Sequence, residues 1–155
     1  MEIDLNAYIT EKKYFKWSEA LWLPSIKEYH KPSEEEVQNI RELCIRLDKV
    51  REFIAKPILV HCWIRPRSVV CDNPEYQGFD YNKHVDGAKS SAHVTGEAVD
   101  FHVNGLTVDQ YQNLIKPKLT EFKLAGEQNG KVVKRNWCHL QSRKLSDGTY
   151  RFYLP

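Results

Sequence analysis

Three residues have the types and spacing of zinc ligands: His93, Asp100 and His139. Zinc in proteins is bound by imidazole nitrogens, carboxylate oxygens and thiolates. A set of two histidines and one carboxylate leaves a fourth coordination position for water, which is typical of catalytic rather than structural zinc sites. The sequence therefore predicts one zinc ion as the cofactor of this protein.

The residues between the first two ligands predict a loop followed by a strand. His93 precedes Gly96, whose missing side chain permits a tight backbone turn. Residues 97–103 then alternate in polarity as a strand does, so Asp100 faces away from the core. Ala98 shares this face and leaves room beside the metal. The loop and the strand are thus expected to bring two ligands to one point.

The third ligand is expected from a separate strand. His139 lies in a predicted strand over residues 131–140, where it shares the outer face with Trp137. The pair Asn129-Gly130 is a strong signal for a hairpin turn. It would connect this strand to a preceding one over residues 122–125.

A long helix and a buried strand are predicted upstream of the site. The helix runs from about residue 33 to 54, since Ser33 and Glu36 form a capping box and apolar residues follow at three- and four-residue spacing. Residues 58–64 form an apolar run typical of a buried strand. Residues 65–80 are predicted to form a long loop, and loops of this length are often functional.

The remaining segments complete a predicted α+β fold. A further helix is expected from residue 107 or 109 to 115, and a last strand over residues 149–154. Helices followed by a mainly antiparallel sheet indicate the α+β class. Residues 1–155 are predicted to form one domain, on which residues 1–32 pack as an N-terminal extension.

Composition excludes several classes of function. The 155 residues are 41% hydrophobic and 28% charged, as in soluble globular proteins. The formal net charge of +2, without a Lys/Arg-rich run, does not indicate a nucleic acid partner. No apolar run approaches the roughly 18 residues of a membrane span, and the first residues lack the pattern of a secretory signal. We therefore expect a protein made in the cytoplasm, with neither nucleic acid nor membrane as partner. A monomer is the expectation for its assembly, although the sequence does not give the oligomeric state.

Cysteine spacing predicts neither a zinc ribbon nor a thioredoxin-type motif. Cys44, Cys62, Cys71 and Cys138 form no C-x-x-C pair. Cys44 and Cys62 lie in apolar patterns and are interpreted as small core residues. A reducing compartment fits this pattern, although spacing alone leaves disulfides open.

A ten-residue motif resembles a known family. The chain contains Ser91-x-His93-x-x-Gly96-x-Ala98-x-Asp100, followed by Trp137-x-His139. It thereby resembles the zinc D-Ala-D-Ala carboxypeptidase and L-alanyl-D-glutamate endopeptidase family, whose fold is also that of the hedgehog signalling domain. The resemblance covers roughly residues 14–142 and includes four further segments: Phe15 to Leu23, Cys62 to Pro66, Tyr81-Asn82 and Gly87-Ala88.

The resemblance implies roles for several residues. The three predicted ligands would hold zinc, and Arg65 would lie in the active site, where a guanidinium can bind a substrate carboxylate or the developing oxyanion. A surface salt bridge is the alternative for Arg65. Ser91 would hydrogen-bond a ligand or the substrate, or simply close a turn. Trp137 would contact the substrate or serve in ordinary packing.

The general base is where this sequence departs from the family. Members commonly carry Glu or Asp three residues before the last histidine, and this chain has Asn136 there. Asn cannot accept a proton from water, so the carboxylate must come from elsewhere. Glu127, on the preceding predicted strand, is the first candidate. Glu97, Asp86 or no base at all are the alternatives.

The resemblance implies a function in hydrolysing the cell wall. We expect a zinc metallopeptidase that cleaves peptide bonds in peptidoglycan stem peptides, as a carboxypeptidase or an endopeptidase. Without a signal peptide, such an enzyme would act on the wall during phage infection or lysis, as an endolysin does. The alternative is a non-catalytic module of the same fold that binds zinc and cell wall, which Asn136 suggests.

Overall fold

The computed structural model describes residues 2–129 and 136–154, which form helices packed on a five-stranded sheet. The α+β class predicted from the sequence is confirmed. The helices α1 to α5 are Trp17–Leu21, Glu34–Ile54, Tyr81–His84, Val108–Ile115 and Leu119–Phe122. The strands β1 to β7 are Trp22–Leu23, Glu28–Tyr29, Ile58–Cys62, Ala98–Val103, Ala125–Glu127, Cys138–Gln141 and Phe152–Tyr153. Two 3-10 helices span Ala92–Thr95 and Lys116–Lys118.

The main sheet has the strand order β3-β4-β6-β5-β7. Its first four strands pair antiparallel, whereas β7 pairs parallel with β5. The sheet is therefore mainly antiparallel, as predicted, with one parallel edge. Strands β1 and β2 form a separate two-stranded sheet.

Helix α2 forms where the capping box and the apolar pattern predict it. The Ser33 side chain accepts a hydrogen bond from the Glu36 amide, and the Glu36 side chain accepts one from the Ser33 amide. The helix ends at Ile54, because Ala55 adopts a left-handed conformation with φ 57°. The apolar face of α2 is buried and consists of Val37, Ile40, Leu43, Cys44, Leu47, Val50 and Ile54.

The N-terminal residues contribute to the same hydrophobic core as α2 and the main sheet. Phe15 is buried and packs edge-on against the Trp63 ring, with 6.2 Å between ring centroids. Trp17, Leu21 and Leu23 belong to this core as well. The division of the chain into one domain with an extension stays a prediction.

Two expectations about the end of the chain need correction. Residues 122–125 do not form a strand: α5 ends at Phe122, Lys123 turns into the left-handed region with φ 54°, and β5 begins only at Ala125. The last strand covers two residues instead of the predicted 149–154. The predicted hairpin turn and the strand start at residue 131 lie partly outside the described residues, and β6 begins at Cys138.

None of the helices formed by the described residues combines the length and apolar character that a membrane span requires. All four cysteines are free thiols. Cys44 is buried as predicted, whereas Cys62 is only partly buried.

Candidate metal centre

The sheet places two of the predicted ligands directly opposite each other. Asp100 in β4 pairs with His139 in β6, and on its other side with Cys62 in β3. Directly opposite residues of antiparallel strands project to the same face with their Cβ atoms about 5 Å apart. His93 comes from the 3-10 helix that leads into β4. Loop and strands thus converge as the sequence predicts.

The three side chains form one buried group. His93 Nε2 lies 3.1 Å from Asp100 Oδ1, and His139 Nδ1 lies 2.8 Å from the same oxygen. The candidate ligand atoms of the three residues all lie within 4.8 Å of one another. Ligand atoms at about 2.1 Å from one tetrahedral ion lie about 3.4 Å from one another. The two measured pairs, at 3.1 and 2.8 Å, are close to this spacing.

Hydrogen bonds on the outer nitrogens orient both imidazole rings. His93 Nδ1 lies 2.6 Å from the Trp63 carbonyl oxygen, which can only accept, so Nδ1 carries the proton. His139 Nε2 lies 3.1 Å from Gln141 Oε1, which likewise accepts. Each ring therefore directs its other nitrogen towards Asp100, and in the neutral imidazole this nitrogen offers a lone pair to a metal ion. Metal-binding histidines are usually held in this way.

The donor set of this group fits zinc. Two imidazole nitrogens and a carboxylate oxygen face one another, and such a group of acceptors requires a positive charge between its members. Although burial works in the opposite direction, His93 and His139 hold the pKa of Asp100 far below its usual range, so the carboxylate is ionised. Burial lowers the pKa of His93 and favours its neutral form. These are the protonation states in which both groups bind metal.

The loop that carries His93 is fixed from several sides. The amide of Arg65 donates to the His93 carbonyl at 2.8 Å, and Trp63 Nε1 donates to the Gly96 carbonyl at 3.0 Å. The Ser91 hydroxyl accepts from the His93 amide at 3.2 Å and begins the 3-10 helix. Of the roles open for Ser91, the structure shows the closing of this turn, and contact with substrate stays a prediction.

Gly96 is needed for both its conformation and its size. Its φ is +80°, in the left-handed region that favours glycine. A Cβ at this position would lie 2.8 Å from Ile40 Cγ1 on helix α2. The turn between the first two ligands therefore packs directly on the core helix.

Arg65 lies beside the metal group. Its guanidinium donates to Asp100 Oδ2 at 2.7 Å, while Nε contacts Cys62 Sγ at 3.4 Å. The side chain is mostly buried, so this ion pair is not one of the exposed kind that contributes little. Arg65 holds the outer oxygen of Asp100, and this leaves Oδ1 to face the two histidines.

Glu127 is placed near the last ligand. Continuing the register of Gly126 and Leu140 by one residue sets Glu127 opposite His139. Burial alone would lower the pKa of His139. The hydrogen bond with Asp100 and the negative charges of Asp100 and Glu127 outweigh burial and raise this pKa. The alternative base Glu97 is instead held by the Arg143 guanidinium at 2.6 Å.

Three other residues singled out in the sequence lie outside the buried group of His93, Asp100 and His139. Asp86 follows helix α3 in a left-handed turn with φ 55°. Asn136 and Trp137 precede β6, and the Trp137 side chain is 39% exposed. An indole in this position could contact a bound molecule, and the substrate role of Trp137 stays a prediction.

Two features beside the metal group were not predicted from the sequence. His61 and His102 stack at 4.6 Å between centroids, with His61 Nε2 at 2.5 Å from His102 Nδ1. A β-bulge between Val60 and Cys62 brings His61 to this position. Gln141 as the acceptor for His139 was also missed, although its place two residues further along the same strand puts it on the same face.

These features define a class of protein, one whose sheet presents a buried group of two histidines and one aspartate that is able to hold a metal ion. A comparison with known protein families matches residues 25–141, most of the chain, to the family described as peptidase M15. The chain belongs to the peptidase M15 family, whose members are zinc peptidases. Neither the curated proteins nor the solved structures contain a significant match. The family points to a metallopeptidase and so to a hydrolase.

Proposed function

We propose that this protein is a zinc-dependent peptidase that hydrolyses peptide bonds in peptidoglycan stem peptides, as a carboxypeptidase or an endopeptidase. The observation that carries the proposal is the buried group of His93, Asp100 and His139. In both histidines, the ring nitrogen that points away from Asp100 is already hydrogen-bonded to an acceptor. When bound, zinc supplies Lewis-acid polarisation of a carbonyl and of a water molecule. The membership of the M15 family supports this class of substrate.

Glu127 is the residue that we propose as general base. It lies on the strand next to His139, on the same face of the sheet by the register of β5 and β6. Its carboxylate would accept a proton from the attacking water and later transfer it to the leaving amine. Asn136 cannot do so, and Glu97 is neutralised by Arg143.

Arg65 would act through its position at Asp100. Its guanidinium holds Asp100 Oδ2 and so fixes the carboxylate for metal binding. The same positive charge would stabilise negative charge that develops on the carbonyl oxygen of the substrate. Ser91 and Trp137 each lie two residues before a histidine of the group, and their side chains would contact the stem peptide. The natural setting proposed for this activity is the cell wall during phage infection or lysis.

The experiment that tests this function is mass spectrometry of muropeptides after digestion of purified cell walls. Zinc-loaded protein should release new peptide ends, and the spectrum identifies the bond. A chelator and the variant His93→Ala should abolish the release. If loaded protein releases nothing from walls of several peptide chemistries, the peptidase function is wrong.

The role of Glu127 has its own test. Glu127→Gln should lower the rate about 10²- to 10⁴-fold, the usual contribution of a general base. Its zinc affinity should stay within a few-fold of the unmodified protein. Glu75→Gln, the same change at an exposed position, is the matched control and should leave the rate unchanged.

A second candidate function is a non-catalytic module that binds zinc and cell wall. Asn136, in the place where the family commonly has its base, favours it. This candidate predicts stoichiometric zinc and retention on walls, with no bond cleaved and no difference between Glu127→Gln and the unmodified protein. A rate lowered by that substitution excludes it.

A further inference from the structure

The strand β7 lies beyond the part of the chain that matches the family, and it contacts the support of a metal ligand. The family match ends at residue 141, whereas β7 is Phe152–Tyr153. The Tyr153 hydroxyl lies 3.1 Å from Gln141 Oε1. The same oxygen lies 3.1 Å from His139 Nε2. One amide oxygen thus joins β7 to the ligand His139.

The orientation of the Gln141 amide follows from its third contact. Gln141 Nε2 donates to the carbonyl oxygen of Arg143 at 3.0 Å. Since a carbonyl oxygen only accepts, the amide nitrogen must point there and Oε1 must point towards His139 and Tyr153. Oε1 can accept two hydrogen bonds, one from each donor. Gln141 is buried, so water does not compete freely for this oxygen.

Strand β7 is itself held firmly against β5. The Gly126 amide donates to the Arg151 carbonyl at 3.2 Å, and the Gln128 amide donates to the Tyr153 carbonyl at 2.8 Å. Phe152 is buried over Gly126, where a Cβ would lie 2.7 Å from Phe152 Cε1. The glycine therefore permits a close approach of the two strands. This packing sets the height of the Tyr153 hydroxyl relative to Gln141.

We propose that β7 is a positioning element of the metal centre, in which Tyr153 acts through Gln141 to keep the His139 ring with Nδ1 towards the metal. The inference rests on the proposed assignment of His139 as a zinc ligand, but not on peptidase activity. Gln141 fixes the tautomer of His139 by accepting its Nε2 proton. Tyr153 holds the amide oxygen in line. Partners of this kind commonly change metal affinity by about 10- to 100-fold.

The test is the zinc affinity of purified full-length variants, measured by competition with a chromophoric chelator. Gln141→Met keeps the length of the side chain and removes the acceptor, and it should weaken zinc binding by about 10- to 100-fold. Tyr153→Phe removes one hydroxyl and should weaken binding by a smaller factor, roughly 3- to 10-fold. Tyr150→Phe, which removes a hydroxyl from the same segment, is the matched control and should bind as the unmodified protein does.

The melting temperature of each metal-free variant shows whether it is folded. If Gln141→Met does not fold, the comparison of Tyr153→Phe with Tyr150→Phe still decides the role of β7. Equal zinc affinities for these two variants would overturn the inference. If the unmodified protein binds no zinc, the proposed function and the inference both fail. If it binds zinc tightly and all variants match it, only the inference fails.

Discussion

Replacing Gly96 by alanine should destabilise the protein by both strain and overpacking. A residue with a side chain at φ +80° costs about 1–2 kcal/mol relative to glycine. The added Cβ would also lie 2.8 Å from Ile40 Cγ1, which belongs to a fully buried residue of α2. Forcing a methyl group into a packed core costs about 1–3 kcal/mol. The sum gives a loss of about 2–5 kcal/mol in the free energy of unfolding.

The matched control is Gly78→Ala. Gly78 has the same φ of +80°, but a Cβ there would meet no atom of the described residues within 4 Å. This variant should therefore lose only the conformational part, about 1–2 kcal/mol. Urea unfolding of both metal-free variants, followed by circular dichroism, measures the difference. For a chain of this size, about 3 °C in melting temperature corresponds to each kcal/mol.

Gly96→Ala should also weaken zinc binding, because the turn at Gly96 connects His93 to the strand with Asp100. Gly78→Ala should leave zinc affinity unchanged, since Gly78 lies in the loop before α3. Equal losses of stability in the two variants would refute the close packing of this turn on Ile40. An unaltered zinc affinity in a destabilised Gly96→Ala would refute the coupling between the turn and the ligands.

Three further substitutions test buried polar groups by denaturant unfolding. Tyr111→Phe should raise the free energy of unfolding by about 1 kcal/mol, because within the described residues the buried hydroxyl has no hydrogen-bond partner. A lower free energy of unfolding would show that the hydroxyl does have a partner. Trp63→Phe should lower the free energy of unfolding by about 2–4 kcal/mol, because a smaller ring fills the buried site and the Gly96 carbonyl loses its hydrogen-bond donor. An unchanged free energy of unfolding would contradict this role of Trp63. Burial raises the pKa of Asp48, so the folded state keeps its proton to higher pH than the unfolded state. The contribution of Asp48 to stability is therefore fully present below about pH 3.9 and is lost as pH rises through its folded pKa. Asp48→Asn should remove this decline in stability between acidic and neutral pH. A pH profile of stability that is the same in the variant and the unmodified protein would exclude a raised pKa of Asp48 as its cause.

The convergence of His93, Asp100 and His139 could be predicted from the sequence because local rules fix much of its geometry. Strand alternation sets the face of Asp100, and glycine at position 96 permits the turn after His93. The helix from residue 33 to 54 could be predicted equally well, because its capping box and the spacing of its apolar residues indicate the same element. These features depend on neighbours in sequence, and each leaves a recognisable pattern.

Features that depend on register or on backbone atoms could not be predicted in this way. The acceptor for His93 is the main-chain carbonyl of Trp63, and a carbonyl has no signature in the sequence. The contact of His61 with His102 depends on a bulge in β3, which shifts the pairing by one residue. The boundary before β5 was wrong because Lys123 adopts a left-handed conformation that lysine rarely favours.

The contacts of the metal centre join parts of the chain that are far apart along the sequence. His139 and Asp100 are separated by 39 positions, and His93 and the Trp63 carbonyl by 30. An unfolded chain cannot hold these groups at one point without a large cost in loop-closure entropy. A zinc ion held by these three side chains would therefore favour the native state, and its binding energy would add to the free energy of unfolding. The melting temperature should then rise with the logarithm of the free zinc concentration. The supply of metal would thus help to determine the fraction of molecules that stay folded.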